Sequence, residues 1–188
     1  PDDVEKRLNA VVIELPQSLK EKILFRSEHL KDYQSKSLAD RYTKFVKKFK
    51  DTEIEESVAE GYHKVLSYKD EYEVARLHRA TAIKLKNEFD GNIKIRYHLS
   101  PPLISRIGSD GRPQKKEFGS FIENIFVLLS KFKFLRGSIF DPFGYSAERK
   151  MERSLIHLYE KDMEGLLKKK LLNTESAVSL ANLPMQIR

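Results

Sequence analysis

Asp141-Pro142-Phe143-Gly144-Tyr145-Ser146-Ala147-Glu148-Arg149-Lys150-Met151-Glu152-Arg153 reads as a turn that feeds a long helix. Pro142 fixes φ and removes a donor, while Gly144 admits conformations that other residues avoid. Asp141 is placed to accept hydrogen bonds from amides of the turn. Ser146 is the expected N-cap, which puts Glu148 in the first turn, where the helix dipole favours a negative charge. Phe140, Phe143 and Tyr145 give the turn apolar mass, so it is expected to pack onto the body of the protein.

Downstream, the periodicity predicts a helix from Ala147 to about Leu172, with Met151, Leu155, Leu158, Tyr159, Met163, Leu166 and Leu167 as its stripe. Lys168-Lys169-Lys170 closes it favourably. Asn173-Thr174 then caps a short last helix through Ala181, which Pro184 stops. Upstream, the most apolar helix runs from Phe118 to Phe134, with Gly137 as its C′ residue. Its apolar residues cover more than one face, so neighbours on several sides, or a partner, must bury it.

Further upstream, Val4, Leu8, Val11 and Val12 share one face of a helix over residues 3–14, which Pro16 breaks. Ser18 starts the next helix. Apolar positions from Leu19 to Phe49 keep a helical period, with a bend or a division at Ser35–Ser37. Lys44, Lys47, Lys48 and Lys50 lie along its end, where lysines complement the dipole. After an acidic connector, a second long helix spans about Glu56 to Phe89, with an interruption expected near Ala80–Ala82. Val58, Tyr62, Val65, Leu66, Tyr72 and Leu77 form its core stripe. Tyr68, Tyr72 and Arg76 are spaced by four and so share a face, and Lys69 can pair with Glu73. Asp90-Gly91-Asn92 signals a turn, and Ile93–Leu99 alternates as a strand does. Leu103–Ile107 reads as a second strand. Gln114–Phe118 returns against it across a tip carrying Arg106, Arg112, Lys115 and Lys116. Five or more helices with one small hairpin make a mainly α (α+β) fold: one domain over residues 1–188, a helical bundle onto which the hairpin packs.

The 188 residues suffice for one core, and 40% hydrophobic with 34% charged residues describes a folded chain rich in surface helix. No apolar run approaches a membrane span. The chain has no cysteine, which removes disulfides, thiol nucleophiles and thiolate-held clusters and fits a cytoplasmic protein. A net charge of +7 favours anionic partners, or is simply a solvated basic surface. The five histidines show no metal-ligand spacing, so no metal site is expected.

Four ordered stretches resemble the carboxy-terminal region of the long, fused indolepyruvate ferredoxin oxidoreductases. They are the Asp141–Arg153 motif, Tyr68-Lys69-Asp70-Glu71-Tyr72-Glu73-Val74-Ala75-Arg76-Leu77, His98-Leu99-Ser100-Pro101-Pro102-Leu103 with Gly111-Arg112-Pro113 and Lys116-Glu117-Phe118-Gly119, and Leu183-Pro184-Met185-Gln186-Ile187-Arg188. The similarity is dense from about residue 60 onward. The start at Pro1 and the ending at Arg188 read as those of a fragment excised from a larger multidomain oxidoreductase.

The resemblance implies a parent that oxidatively decarboxylates arylpyruvates to acyl-CoA. In that family thiamine diphosphate with magnesium forms the carbanion, iron–sulfur clusters carry electrons to ferredoxin, and CoA takes the acyl group. This chain holds no cysteine, no Gly-Asp-Gly stretch followed by an Asn pair and no Gly-rich phosphate loop. No catalytic residue and no cofactor is therefore expected in the fragment itself. The implied role is structural: shaping a subunit interface (a homodimer included), covering an active-site mouth or docking a partner. Motif membership and chemical type make Arg76, His98, Arg149 and Arg153 the ligand-contact candidates, with Tyr72 and Tyr145 as neighbours. Two other readings are a basic helical module for nucleic acid, and an enzyme using His98 or the carboxylates near Arg76.

Overall fold

The computed structural model describes residues 16–89, 94–100 and 114–186. The expected helix over residues 3–14, the turn at Asp90-Gly91-Asn92, the strand at Leu103–Ile107 and the tip with Arg106 and Arg112 lie outside them. The described residues form seven α-helices and one antiparallel ribbon, a mainly α fold. In chain order these are α1 (Leu19–Tyr33), α2 (Lys36–Val46), α3 (Glu55–Leu66), α4 (Glu71–Glu88), β1 (Tyr97–Leu99), β2 (Lys116–Phe118), α5 (Ile122–Lys131), α6 (Ala147–Lys169) and α7 (Glu175–Gln186). Short 3₁₀ turns follow α2 and α5, over Lys47–Phe49 and Phe132–Leu135.

Local chemistry explains most boundaries. Ser18 caps α1 through a reciprocal box with Glu21. Ser35 caps α2 and so divides the Leu19–Phe49 stretch in two. Ser146 caps α6, accepting from the Arg149 amide at 3.2 Å. Helix α6 ends at Lys169, three residues earlier than the pattern suggests, because Lys170 turns left-handed at φ 55°. Thr174 Oγ1 accepts from the Ala177 amide at 3.1 Å and starts α7.

Three expectations are corrected. The second long helix is broken at Ser67–Asp70 and not near Ala80–Ala82, which lie inside an unbroken α4. Asp70 N-caps α4 by accepting from the Glu73 amide at 2.8 Å, and an N-cap needs non-helical backbone at that residue. Tyr68 therefore precedes the helix and does not share a helical face with Tyr72 and Arg76. Pro184 lies buried inside α7 rather than ending it. In the ribbon, Lys116–Phe118 pairs with Tyr97–Leu99, with Tyr97 opposite Phe118 and His98 opposite Glu117.

The main core is built by α1, α2, α3, α6 and α7. Leu30, Tyr33, Tyr42, Phe49, Ile54, Val58, Tyr62 and Met163 are fully buried in it. Each such side chain contributes roughly 1.5–3 kcal/mol of transfer free energy. Buried phenols need acceptors, and here they find main-chain carbonyls. Tyr33 donates to Tyr68 O at 2.7 Å, Tyr42 to Ala59 O at 3.1 Å and Tyr159 to Ala181 O at 2.9 Å. Tyr62 donates to the Glu160 carboxylate, which also takes both Nε and Nη2 of Arg41. Gly61 lets α3 close on α6 and α7: a Cβ there would lie 2.3 Å from Ala181 O and 2.6 Å from the Tyr159 hydroxyl.

A second, smaller core joins Ala75 of α4, Tyr97 of β1, and Ile122 and Phe126 of α5. His78 stacks on Phe126 with centroids 5.2 Å apart, and Tyr97 meets the same ring edge-on. Several expected core positions are open to solvent: Leu77, Phe121, Ile125, Leu128 and Phe132 near this core, and Met151 and Leu158 on α6. On α6 it is Ile156, with Tyr159 and Met163, that turns inward.

Candidate functional site

Two regions meet where α4 begins, and the polar residues there are buried. Asp70 and Arg136 are 3% and 5% exposed. The Arg136 guanidinium grips both oxygens of Asp70, donates to the main-chain oxygen of Tyr33, and lies 3.6 Å over the Tyr33 ring. Burial opposes its charge, but the hydrogen bonds and charge of Asp70 outweigh this and hold it more firmly protonated than usual. One carboxylate therefore caps α4 and anchors a cation from the far side of α5.

The turn at Asp141 is built on the same plan. Its carboxylate accepts from the Gly137 amide at 2.8 Å, the Phe143 amide at 3.1 Å and the Tyr72 hydroxyl at 3.1 Å. Gly137 takes φ 75°, which favours glycine, and so completes the loop. The Phe143 ring meets Tyr72 edge-on at 5.3 Å and is half-buried, while Phe140 and Tyr145 point outward. The expected packing of the turn thus rests on Phe143 and Asp141, because the loop spreads its other aromatic rings into solvent.

Four of the six candidates gather around this junction. Tyr72 is buried and bonded to Asp141. Arg149 pairs with Glu152, approaches Glu71 at 3.7 Å and lies 5.6 Å from the Tyr68 ring centre. Burial pushes the Glu71 carboxyl up, and its Oε2 is buried without a hydrogen bond. Arg153 donates to Gly144 O at 2.5 Å. Tyr145 is exposed, with its hydroxyl on Ile139 O. Arg76 sits one turn beyond Tyr72 on α4 and is bound in a fork to Glu73, at 2.8 and 2.7 Å. Glu73 is therefore engaged by Arg76, in place of the expected pairing with Lys69. His98 lies apart, exposed on β1.

Beside the junction, between the end of α3 and the second turn of α6, is a cleft of about 320 Å³. Lys64, Val65, Ser67, Tyr68, Lys69, Glu152 and Leu155 line it. On the other side of α4, Glu73 also lies 3.9 Å from His29. His29 Nδ1 and His63 Nε2 are 2.9 Å apart, so one ring nitrogen donates and the other accepts. Burial, then His29, then Arg26, depress His63 to about 3.

Asp70's partner, Arg136 and the histidine pair carry no signal in the linear sequence. The two histidines are 34 residues apart and Asp70 is 66 from Arg136. Among the described residues, no group of three or more His, Asp or Glu side chains is arranged to hold a metal ion. No described helix is long and apolar enough to cross a membrane.

No curated protein and no solved structure matches this chain. A family model does, over residues 19–188, which cover both cores, the junction and the cleft. The chain belongs to that family, described as a family of unknown function (DUF6537).

Proposed function

We propose that this domain is a non-catalytic structural and interaction part of a 2-oxoacid ferredoxin oxidoreductase of the indolepyruvate or arylpyruvate class. One observation carries the structural part of the reading. Several polar side chains of the quoted motifs are engaged within the domain: Asp70 with Arg136, Tyr72 with Asp141, Arg76 with Glu73, Arg149 with Glu152 and Arg153 with Gly144. Groups bonded to one another in this way support an architectural role. Ile139, Phe140 and Tyr145 stand exposed next to them and suit burial against other domains of the parent or a second copy. Thiamine diphosphate, magnesium and iron–sulfur clusters would then be held elsewhere in the parent, where CoA and ferredoxin would also act. A chain without cysteine offers no thiolate for a cluster. Such an enzyme would work in the cytoplasm.

The test is reconstitution. The parent lacking this segment is assayed for 2-oxoacid-dependent reduction of ferredoxin, with and without the domain added back, and its oligomeric state is measured alongside. Loss of activity and assembly together, both restored by the domain, is the expected result. Normal assembly and turnover without the domain would overturn the reading, and salt-sensitive binding of RNA or DNA by the domain would replace it.

A further inference from the structure

The cleft between α3 and α6 has a chemistry that the internal bonding of the junction leaves unused. Its walls are apolar where they come from Val65, Leu155 and the Tyr68 ring. Its charges are unequal. Lys64 and Lys69 bring two ammonium groups, and both are exposed to solvent. The single lining carboxylate, Glu152, is already neutralised by Arg149. The net field therefore favours an anion beside an apolar surface. A volume of about 320 Å³ is at the small end for ligand pockets, which run from about 300 to 1,000 Å³.

We propose that this cleft binds a small organic anion, its charged head held by the ammonium groups of Lys64 and Lys69 and its apolar body laid against Val65, Leu155 and the Tyr68 ring. The cleft spans the break between α3 and α4. Its Tyr68 lies under the Arg149 guanidinium, and the Tyr68 main-chain oxygen holds the Tyr33 hydroxyl. An occupant touches α3, the break after it and α6 together, so binding stabilises the fold once the ligand exceeds its dissociation constant.

The experiment titrates the 188-residue chain with benzoate and with phenyl phosphate, using benzamide as the neutral isostere. Binding is read by calorimetry and by amide chemical shifts. The two anions separate a carboxylate head from a phosphate head. The expected result is saturable binding of at least one anion, with shifts confined to residues near 64–69 and 152–155. Benzamide should bind at least about tenfold more weakly, and Lys64→Gln with Lys69→Gln should cost roughly tenfold or more. Lys36→Gln, a remote exposed lysine, serves as the control and should change nothing. Both cleft lysines are exposed, so their replacement leaves the fold intact, which circular dichroism verifies. The proposal is overturned by equal binding of benzamide, by full affinity in the double variant, or by no saturable binding up to about 10 mM.

Discussion

The α1–α2–α3–α6–α7 core and the α4–ribbon–α5 core are made from the same residue types but are closed to different degrees. In the first, rings interleave from several helices, with Phe45 against Tyr62 at 4.3 Å and Tyr62 stacked on Tyr159 at 6.0 Å. In the second, four buried residues are held between one helix, one short strand and α5. The outer stripe of α5, at Phe121, Ile125, Leu128 and Phe132, stays in water. Apolar periodicity alone fixes a helix, but the number of neighbours decides how many of its faces are buried. The first region has five helices around it. The second has fewer, and Asp70, Arg136 and Asp141 tie it to the first.

The largest effect should come from cutting that attachment. Asp70→Ala removes an N-cap and strands the buried Arg136 charge, with an expected loss of about 3–5 kcal/mol in denaturant unfolding. Asp70→Leu combined with Arg136→Met should recover much of it, because apolar isosteres remove both charges together. A loss under about 1 kcal/mol for the single change would mean that the two regions hold together by other contacts.

Next come the cores themselves. Phe49→Ala should cost about 3–5 kcal/mol, since Phe49 is fully enclosed. Phe126→Ala should cost about half as much, because its surroundings are partly open and can collapse or admit water. Equal losses in chemical denaturation would erase the difference drawn between the regions.

Acid should act mainly on the first region, which holds the strongly depressed His63, although burial also lowers His78 in the second. The unfolded chain protonates His63 near pH 6.5, whereas the folded chain refuses the proton until about pH 3. Between those values the unfolded state binds more protons. The stability is therefore whole above pH 6.5 and falls as the pH drops towards 3. About 1–2 kcal/mol should be lost between pH 6.5 and 5. Thermal melts across that window should show a slope that His63→Gln flattens. An unchanged slope would place the titration elsewhere.

The smallest effect on stability belongs to the open face. Phe121→Ser should shift stability by no more than about 0.5 kcal/mol, since the ring is 61% exposed. The same change should lower any self-association seen by sedimentation. A large destabilisation would show that this stripe is packed after all.

Much of this arrangement was legible in the sequence, for reasons that are local. Ser18 and Ser146 announce their helices because a cap acts within three residues. The mainly α bundle with its small ribbon follows from periodicity. Asp141 as the acceptor of its own turn was equally readable, because an Asx turn is a short-range motif. The break at Ser67–Asp70 was missed because no glycine or proline marks it. It exists because Asp70 caps α4 through the Glu73 amide, with a distant arginine holding the same carboxylate. Exposure of Met151 and burial of Ile156 were missed for a similar reason, since the choice of inward face belongs to the neighbours. Of the residues singled out as ligand-contact candidates, Tyr72, Tyr145, Arg149 and Arg153 lie around the junction, while Arg136 and the His29–His63 pair had no local mark.

The buried phenols also set what the molecule looks like to light and to base. The chain has no tryptophan, so tyrosine supplies the near-ultraviolet signal. Tyr33, Tyr42 and Tyr159 each point a hydroxyl at a carbonyl oxygen, and burial raises the pKa of all three. Ionising any of them inside the fold would set a phenolate against an electron-rich oxygen. Such groups stabilise the fold fully below pH 10, and that contribution drains away as the pH climbs above it. The phenolate absorbance of these rings should therefore appear together with the collapse of helical circular dichroism, in one alkaline step.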